Sequence, residues 1–421
     1  MEANTVYFPK LKDVEAAATT LKDVVAATPL MQNFNLSKEF EANILLKRED
    51  LQQVRSYKIR GAYNKINSLT KEELKNGIVC ASAGNHAQGV ALACSKKQIH
   101  GTIFMPAPTP KQKVNQVKMF GGEYVSIELT GDTFDDSYFA AKEHCDANKK
   151  TFVHPFDDPK IIEGQATVGL EIFNQANNQP IDYVFVPVGG GGLSAGLSSV
   201  LKILSPNTKV IGVEPEGAPS MRTAIEKNDN APLAHIDKFV DGAAVKQVGS
   251  LTYKICQENL SDMITVHEGK VCQTILDLYN KDAIVVEPAG ALTIAALDIY
   301  KNEIKGKNVV CVVSGSNNDI TRTAEIKERA LLHQGLKHYF IIRFPQRAGA
   351  LREFVRDILS DKDNITFFEY SKKNNRESAP AVVGIELLDK NDLEPLVARM
   401  KERNFFGEYL NDKPDLFEFL V

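Results

Sequence analysis

Short apolar runs alternate with longer amphipathic segments from about residue 40 to residue 320 of this 421-residue chain. Runs such as GIVCAS, GTIFMP, YVFVPVG and NVVCVVSG are typical of buried strands, and TFDDSYFAAKEHCDANK has a helical period. This alternation predicts parallel sheets with crossover helices, which is an α/β fold. Such sheets bind ligands beyond the carboxyl ends of their strands, so the residues that follow each strand are the candidates for a site.

The pattern changes after about residue 330, where phenylalanine becomes frequent and the glycine-rich turns stop. HYFIIRFP, ITFFEYSKK, APAVVGIELL and DLFEFLV are predicted strands, and AGALREFVRDILS and NDLEPLVARMKERN are predicted helices. The order βαββαβ is that of ferredoxin-like α+β domains. A helix over residues 329–337 is the predicted linker to this second domain.

Charge and composition exclude several classes of partner. The net charge is -4 and no basic run is interleaved with aromatic residues, so we expect neither nucleic acid nor an anionic membrane as a partner. We find no secretory signal and no apolar stretch of transmembrane length, which predicts a cytoplasmic protein. Six scattered cysteines without a Cys-x-x-Cys motif are interpreted as reduced, buried thiols.

Four consecutive glycines, residues 189–192, separate the run YVFVPV from an amphipathic helix. Such a turn can present successive backbone N–H groups to an anion at the positive end of a helix. Residues 190–195 also fit a loose dinucleotide-binding fingerprint, with Glu214 as the ribose-binding acid. Residues 192–196 fit a nucleophile elbow with Ser194 as the nucleophile, so three interpretations of one turn stay open. No Gly-Lys-Ser/Thr follows, which excludes a Walker-type loop.

Other polar clusters also follow predicted strands. Residues 82–86 offer N–H groups, a hydroxyl and an amide at a helix start, which suits a small carboxylate. Ser314 begins a second cluster of short polar side chains, and Glu287 precedes a buried helix. Lys58 stands one residue before an apolar helical stripe, and by itself such a lysine is usually a snorkelling surface residue.

Taken in order, these segments resemble the fold-type II pyridoxal phosphate enzymes, and within them the threonine and serine dehydratase group. The family's fold has two open parallel-sheet subdomains. The matching segments are KRED (47–50), SYKIRG (56–61), SAGNHAQG (82–89), GGGGL (189–193), DGAAV (241–245), EPAGA (287–291) and SGSNND (314–319).

The resemblance implies pyridoxal 5′-phosphate as the cofactor, bound to Lys58 as an imine, with Tyr57 packed against its ring. It also implies that Asn85 bonds the pyridine hydroxyl and that Ser314 meets the ring nitrogen. The implied phosphate-binding residues are Gly189, Gly190, Gly191, Gly192 and Leu193, and the implied substrate-binding residues are Ser82, Ala83, Gly84, Asn85 and His86.

The chemistry of these residue types agrees with that assignment. A lysine attacks an aldehyde only as the neutral amine, and burial beside Tyr57 and Ile59 would lower its pKa from about 10.4. The released amine is then positioned to take the α-proton of an amino acid. A serine at the ring nitrogen would leave the ring a weaker electron sink, which favours β-elimination over transamination.

The expected reaction is that of an L-threonine dehydratase, which converts L-threonine into 2-oxobutanoate and ammonia as the first step of isoleucine biosynthesis. The alternatives are a serine dehydratase or racemase of the same fold, a nicotinamide-dependent oxidoreductase that would use Glu214, and a non-catalytic amino-acid sensor. Ala83 predicts weak racemisation, because serine racemases of this group carry a serine there. We predict no metal site, because Ser220 replaces the acid that cation-binding relatives carry near Glu214.

The predicted domains are a catalytic domain over 1–328, with a smaller subdomain at roughly 55–155, and a regulatory domain over 338–421. The latter resembles the ACT-like domain of biosynthetic threonine dehydratases, with FPQRAGALREF as its first strand-to-helix turn. A single copy implies a ligand site shared across a subunit interface. Feedback inhibition by isoleucine, opposition by valine and a homotetramer are therefore expected.

Overall fold

Two parallel sheets and one antiparallel sheet form the framework of this computed structural model, which describes residues 7–370, 378–413 and 416–417. The chain divides into two units, Met1–Ile320 and Thr321–Val421. The strands of the described residues are β1 (Leu30–Gln32), β2 (Asn43–Arg48), β3 (Ile78–Ala81), β4 (Gly101–Met105), β5 (Val125–Leu129), β6 (Thr151–Phe152), β7 (Tyr183–Pro187), β8 (Lys209–Pro215), β9 (Asp262–Val266), β10 (Asn308–Val313), β11 (Lys337–Pro345), β12 (Asn364–Tyr370), β13 (Ser378–Glu386) and β14 (Phe406–Tyr409).

The helices of the described residues complete the α/β pattern. They are α1 (Leu11–Leu21), α2 (Phe34–Phe40), α3 (Lys58–Ser68), α4 (Lys71–Leu74), α5 (Asn85–Lys97), α6 (Lys111–Gly121), α7 (Phe134–Ala147), α8 (Pro159–Gln175), α9 (Gly192–Leu204), α10 (Ser220–Lys227), α11 (Ser250–Asn259), α12 (Glu268–Asp282), α13 (Pro288–Ala295), α14 (Thr323–Gln334), α15 (Ala350–Glu353) and α16 (Leu393–Glu402). Within the ranges that the structure describes, no helix has both the length and the apolar character of a membrane span.

The large sheet of the first unit has the strand order β1-β2-β10-β7-β8-β9. All neighbours are parallel except β1, which pairs antiparallel with β2. Strand β7 is buried along its whole length, as expected for a parallel strand that is covered on both faces by helices. The sequence-based prediction of parallel sheets is confirmed.

The small sheet has the order β5-β4-β3-β6, and all its pairs are parallel. Its four strands lie in sequence between β2 and β7 of the large sheet, so the small sheet is an insertion into the large one. Its core contains Ile78, Cys80 and Ile103 from the strands and Val90 and Cys94 from α5.

The second unit carries an antiparallel sheet in the order β12-β13-β11-β14, which gives the predicted βαββαβ arrangement. Its closing strand is β14, whereas the predicted strand DLFEFLV lies mostly outside the described residues. The helix predicted at 329–337 runs over Thr323–Gln334 and ends at Gly335, which takes the left-handed conformation. Because the Tyr339 hydroxyl donates to Glu328 at 2.5 Å, this helix is attached to β11 of the same unit.

Helix α8 packs between α3, which begins at Lys58, and α9, which follows the glycine run. A methyl group at Gly164 would approach the Arg60 backbone oxygen to 2.6 Å, so only glycine permits this contact between α8 and α3. On its other side, α8 contributes Val168 to the apolar cluster that also contains Leu197 of α9. The packing of α8 therefore fixes α3 and α9 relative to each other.

A buried ion network anchors α3 to β2 and α8. Arg60 donates two hydrogen bonds to Glu49, both at 2.8 Å, and two to Glu171, at 2.7 and 2.9 Å. Lys47 donates to Glu171 at 2.5 Å and to the Thr28 carbonyl at 2.7 Å. Arg60, Glu49 and Lys47 are all fully buried. Burial by itself raises the pKa of Glu49, but the charge and hydrogen bonds of Arg60, with smaller contributions from Lys47 and Thr28, together outweigh it, so the pKa is lowered.

We predict that Arg60→Met lowers the free energy of unfolding by about 3 to 5 kcal/mol, because it leaves a buried carboxylate without its cation. Urea unfolding followed by circular dichroism measures the change. Lys202→Met is the matched control, since Lys202 pairs with Glu258 at 3.1 Å on the surface. That variant should lose less than about 1 kcal/mol. Equal effects in the two variants would contradict the importance of the network.

Candidate active site

Each parallel sheet of the first unit has a point where the strand order reverses. In the large sheet this point lies between β7 and β10, and in the small sheet it lies between β3 and β6. Ligands of open α/β sheets bind at such switch points, beyond the carboxyl ends of the strands. The glycine run follows β7, Ser314 follows β10 and residues 82–86 follow β3, so three predicted site segments lie at these two points.

Lys58 is the first residue of α3, and its side chain is half-buried. Its Nζ donates to the Pro155 carbonyl at 2.9 Å and lies 5.5 Å from the centre of the Tyr57 ring. Burial lowers the pKa of the Lys58 amine to about 8, although the negative charge of Glu287 acts in the opposite direction. A substantial fraction of this amine is therefore neutral near pH 8, as a nucleophile or base requires.

Ser314 and Tyr57 are joined through the backbone, since the Tyr57 N–H donates to the Ser314 carbonyl at 3.2 Å. Ser314 is 2% exposed, and its hydroxyl has no hydrogen-bond partner among the described residues. Burial raises the pKa of Tyr57, and Glu287 raises it further, so the phenol remains neutral. The end of β10 thus places a neutral hydroxyl and an uncharged aromatic ring beside the lysine.

Asn85 begins α5, and its Nδ2 donates to Glu287 Oε1 at 2.7 Å. Its other polar atom, Oδ1, is buried and has no partner within the described part of the chain. The second carboxylate oxygen of Glu287 accepts from the Asn317 N–H at 3.2 Å. Burial, together with the nearby charge of Asp241, raises the pKa of Glu287 to about 7. Asn85 is thus oriented by Glu287 through Nδ2 and keeps Oδ1 as an unpartnered acceptor.

The loop over residues 82–86 is only partly buried at its tip, and a methyl group added at Gly84 would meet no atom within 4 Å. His86 differs from the other loop residues. Its Nε2 lies 3.0 Å from the Val153 carbonyl, and burial, followed by the Lys58 charge, lowers the pKa of its ring to about 3. The His86 side chain is therefore neutral and engaged elsewhere, which leaves the backbone N–H as its available donor.

The glycine run presents unused donors. Gly190, Gly191 and Gly192 are buried, and the backbone N–H groups of residues 189–191 have no acceptor in the described ranges. The following residues form the first turn of α9, whose N–H groups also lack helical partners. Buried N–H groups are almost always paired, so this cluster is suited to an anion such as a phosphate.

The two other interpretations of the glycine run are wrong. The Ser194 hydroxyl is fully buried, donates to the Gly191 carbonyl at 3.0 Å and contacts the Cys256 thiol at 3.3 Å, so it is no exposed nucleophile. Glu214 accepts the N–H groups of Met221 and Arg222, at 2.7 and 2.9 Å, and thereby caps α10. A carboxylate committed in this way does not bind a ribose.

No group of three or more histidine, cysteine, aspartate or glutamate side chains is placed to hold a metal ion in the part of the chain that the structure describes. The Ser220 hydroxyl donates to the Val245 carbonyl. Burial raises the pKa of Glu214 to about 8.

The open polar groups of the site fit pyridoxal 5′-phosphate. The unpartnered Asn85 oxygen, the free Ser314 hydroxyl and the buried N–H groups of the glycine run match a ring substituent, a ring nitrogen and a phosphate, beside an amine of lowered pKa. Two further residues of the site had no role predicted from the sequence: Glu287, the partner of Asn85, and Pro155, which holds the lysine amine. The sequence signal available for Glu287 was a carboxylate directly before a proline at the start of a buried helix. Pro155 acts through its backbone carbonyl, which every residue type has, so the sequence contains no signal for it.

Comparison with known proteins agrees with this geometry. Residues 21–315 match the family model described as pyridoxal-phosphate dependent enzyme, and residues 328–420 match that of the C-terminal regulatory domain of threonine dehydratase. The biosynthetic L-threonine dehydratase of Halalkalibacterium halodurans is 56% identical over 98% of this chain and 99% of its own length. That of Bacillus subtilis is 55% identical over 98% of this chain and 97% of its own.

Solved structures extend the comparison. The processed form of threonine deaminase isoform 2 from Solanum lycopersicum is 38% identical, with a TM-score of 0.72 over 78% of this chain and 96% of that one. Serine racemase from Dictyostelium discoideum is 31% identical, with a TM-score of 0.68 over 74% of this chain and 99% of that one. The chain therefore belongs to the pyridoxal-phosphate dependent enzyme family and carries a threonine dehydratase regulatory domain at its C-terminus.

Proposed function

We propose that the chain is an L-threonine dehydratase, which eliminates water from L-threonine and releases 2-oxobutanoate and ammonia. The observation that carries the proposal is the Lys58 amine, whose pKa of about 8 suits a base, in a site with an unpartnered amide oxygen and buried free N–H groups. The choice of threonine is supported by the dehydratases of H. halodurans and B. subtilis, which match nearly the whole chain.

Pyridoxal phosphate would be held by residues from both sheets. We assign the covalent link to Lys58, the bond to the pyridine hydroxyl to Asn85 and the contact with the ring nitrogen to Ser314. The phosphate is assigned to the N–H groups of residues 189–193, and Tyr57 is assigned to the ring face. When bound, the cofactor supplies an electron sink for the substrate's α-carbon.

The residues of the chain then divide the remaining work. The neutral Lys58 amine takes the α-proton, which its lowered pKa allows. The first N–H groups of α5, with the loop over residues 82–86, hold the substrate carboxylate at the positive end of the helix. Ser314 offers the ring nitrogen only a neutral hydroxyl, so that nitrogen stays largely unprotonated and rapid loss of the β-hydroxyl is favoured.

A serine racemase has the same fold, and we use Ala83 to distinguish racemase from dehydratase activity. Racemisation needs a second acid or base on the opposite face of the substrate, and Ala83 offers no proton. Ala83 lies in the loop that would hold the substrate carboxylate, and its methyl side chain cannot form a hydrogen bond. We therefore assign Ala83 to substrate binding through its backbone alone. The proposed products are therefore keto acids rather than D-amino acids.

The second unit is proposed to bind branched-chain amino acids. Its family model is that of the regulatory domain of threonine dehydratase, and the chain contains one such match. We propose that isoleucine inhibits the enzyme and that valine opposes it, with a homotetramer in the cytoplasm as the active form. A single regulatory domain per chain would place the effector site at a contact between subunits.

The proposed reaction is tested with its two candidate substrates and with a variant of Lys58. The protein with pyridoxal phosphate should form 2-oxobutanoate from L-threonine and, more slowly, pyruvate from L-serine, measured as keto acids in a dehydrogenase-coupled assay. Lys58→Ala should lose at least about a thousandfold in turnover together with its visible absorbance band, because base and attachment point are both removed.

Lys75→Ala is the matched control for Lys58, since Lys75 is an exposed lysine of the same unit that pairs with Glu72 on the surface. It should keep full activity and colour. Chiral analysis of the serine reaction tests the racemase alternative. A colourless, inactive protein in the presence of cofactor, or D-serine as the main product, would refute the proposed function.

The pH dependence of cofactor attachment depends on Glu287. Because the Glu287 charge raises the pKa of Lys58, Glu287→Gln should lower that pKa below about 8 while it keeps the acceptor for Asn85. The reaction of the cofactor-free protein with pyridoxal phosphate requires the neutral amine, so its pH midpoint should move to lower pH, by roughly half a unit to one unit. Stopped-flow absorbance measures the midpoint. Glu258→Gln, a change at a surface ion pair, should leave it in place, and an upward shift in Glu287→Gln would contradict the assignment.

The proposed regulation is tested with the two effectors. Isoleucine should raise the threonine concentration at half-maximal rate, and valine added with isoleucine should restore it, because the two effectors favour different states of the enzyme. Initial rates and isothermal titration of the full-length enzyme measure both effects, with leucine and D-isoleucine as ligand controls. Absence of heat and unchanged kinetics with both effectors would refute this part of the proposal.

A further inference from the structure

One carbonyl group in the glycine run is held from outside the run. The Thr252 hydroxyl donates to the Gly190 carbonyl at 2.6 Å, and the Gly249 N–H donates to the same oxygen at 3.3 Å. Thr252 is fully buried, and nothing in the proposed chemistry uses its hydroxyl. This pair of contacts therefore concerns the orientation of the Gly190–Gly191 peptide.

A planar trans peptide directs its N–H opposite to its carbonyl. Because the Gly190 carbonyl is bound on the Thr252 side, the Gly191 N–H points away from Thr252. Gly191 has a φ of 91°, in the left-handed region, and a methyl group there would lie 2.9 Å from Thr252 Cβ. The anchored carbonyl thus fixes the direction of one of the N–H groups that have no acceptor in the described ranges.

Thr252 is itself held in place by Asp157. This carboxylate accepts three backbone N–H groups in the first turn of α11, from Ser250 at 3.0 Å, Leu251 at 2.9 Å and Thr252 at 3.1 Å. It therefore caps α11 from a position more than 90 residues earlier in the chain. The rotation of the helix, and with it the position of the Thr252 hydroxyl, depends on this cap.

Asp157 ends a short segment that also reaches the lysine. Residues 154–157 follow β6, on the other side of the small sheet's switch point from the loop over 82–86. The Pro155 carbonyl accepts from Lys58 Nζ, and Phe156 packs on Gly190, where a methyl group would come within 2.2 Å of its ring. One segment thus contacts both the amine and the loop that would hold the two ends of the cofactor.

We propose that Thr252 and Asp157 are positioning residues for the cofactor phosphate: Asp157 fixes the first turn of α11, and Thr252 then holds the Gly190 carbonyl so that the Gly191 N–H faces the phosphate. The inference rests on the proposed cofactor site and extends it to two residues that do not touch the ligand. If the inference is correct, loss of the Thr252 hydroxyl weakens the binding of pyridoxal phosphate and leaves the binding of pyridoxal, which lacks the phosphate, unchanged.

The test compares two ligands that differ only in the phosphate. Cofactor-free wild type, Thr252→Val and Thr252→Ser are titrated with pyridoxal phosphate and with pyridoxal, and the visible band of the lysine-bound ligand reports binding. We expect Thr252→Val, which keeps the shape and lacks the donor, to bind pyridoxal phosphate roughly tenfold more weakly and pyridoxal unchanged. Thr252→Ser keeps the donor and should bind both ligands like the wild type.

Thr274→Val is the matched control, because Thr274 is a buried threonine whose hydroxyl donates to a backbone carbonyl, that of Lys270, at 2.9 Å in α12. It should leave both affinities unchanged. Asp157→Asn places an amide against the N–H groups of α11 and should show the same selective loss of affinity for pyridoxal phosphate. This variant replaces Thr252→Val in the test if Thr252→Val does not fold. Equal weakening of both ligands, or no weakening of either, overturns the proposal.

The experiment contains no substrate, so it is independent of the threonine assignment. If the wild type fails to bind pyridoxal phosphate, the cofactor assignment fails, and this inference fails with it. If the wild type binds the cofactor but produces no 2-oxobutanoate, the proposed function is lost, and the Thr252 result still decides the inference.

Discussion

Arg60 places a guanidinium in the interior of the first unit, two residues after the lysine on which the site depends. Four hydrogen bonds to Glu49 and Glu171 and a fifth to the Thr167 hydroxyl satisfy it, and the two carboxylates raise its pKa against the opposing effect of burial. A buried charge is tolerated only while its partners stay in place, because desolvation costs several kcal/mol per ion. The network therefore resists any displacement of α3 from β2 or α8. The position of Lys58 at the start of α3 follows from this constraint.

The site itself lies where two sheets bring their switch points together. The large sheet supplies the glycine run and Ser314, and the small sheet supplies the loop over 82–86 and the segment over 154–157. The hydrogen bond between Asn85 and Glu287 joins the first α-helical turn after β3 to the start of α13. A site assembled in this way keeps its geometry only if both sheets hold their relative positions, which α8 supports through its contacts with α3 and α9.

Much of the binding capacity of the site comes from the backbone. The N–H groups of residues 189–191 have no acceptor in the described ranges, and the Pro155 carbonyl holds the lysine amine. Side chains set the directions of these groups from outside, as Thr252 does for the Gly190 carbonyl. Such a site combines neutral donors with few fixed charges. Burial brings the pKa values of the Lys58 amine and of Glu287 close to neutral pH. These properties suit proton transfer near pH 8.

The sheet types, the order of the loops and the family were predictable from the sequence alone, because buried parallel strands and glycine turns leave local patterns in the chain. The sequence also indicated Lys58, Asn85 and Ser314 as site residues, whose roles stay predictions. The fold was needed to show that Ser194 is buried in backbone contacts, that Glu214 caps α10 and that the last described strand of the second unit is β14. Glu287, Pro155 and Thr252 gained their significance from partners far away in sequence. Long-range contacts depend on how helices and strands pack, so a local sequence pattern does not predict them. A backbone carbonyl is the same for every residue type, so its role cannot be predicted from the sequence either.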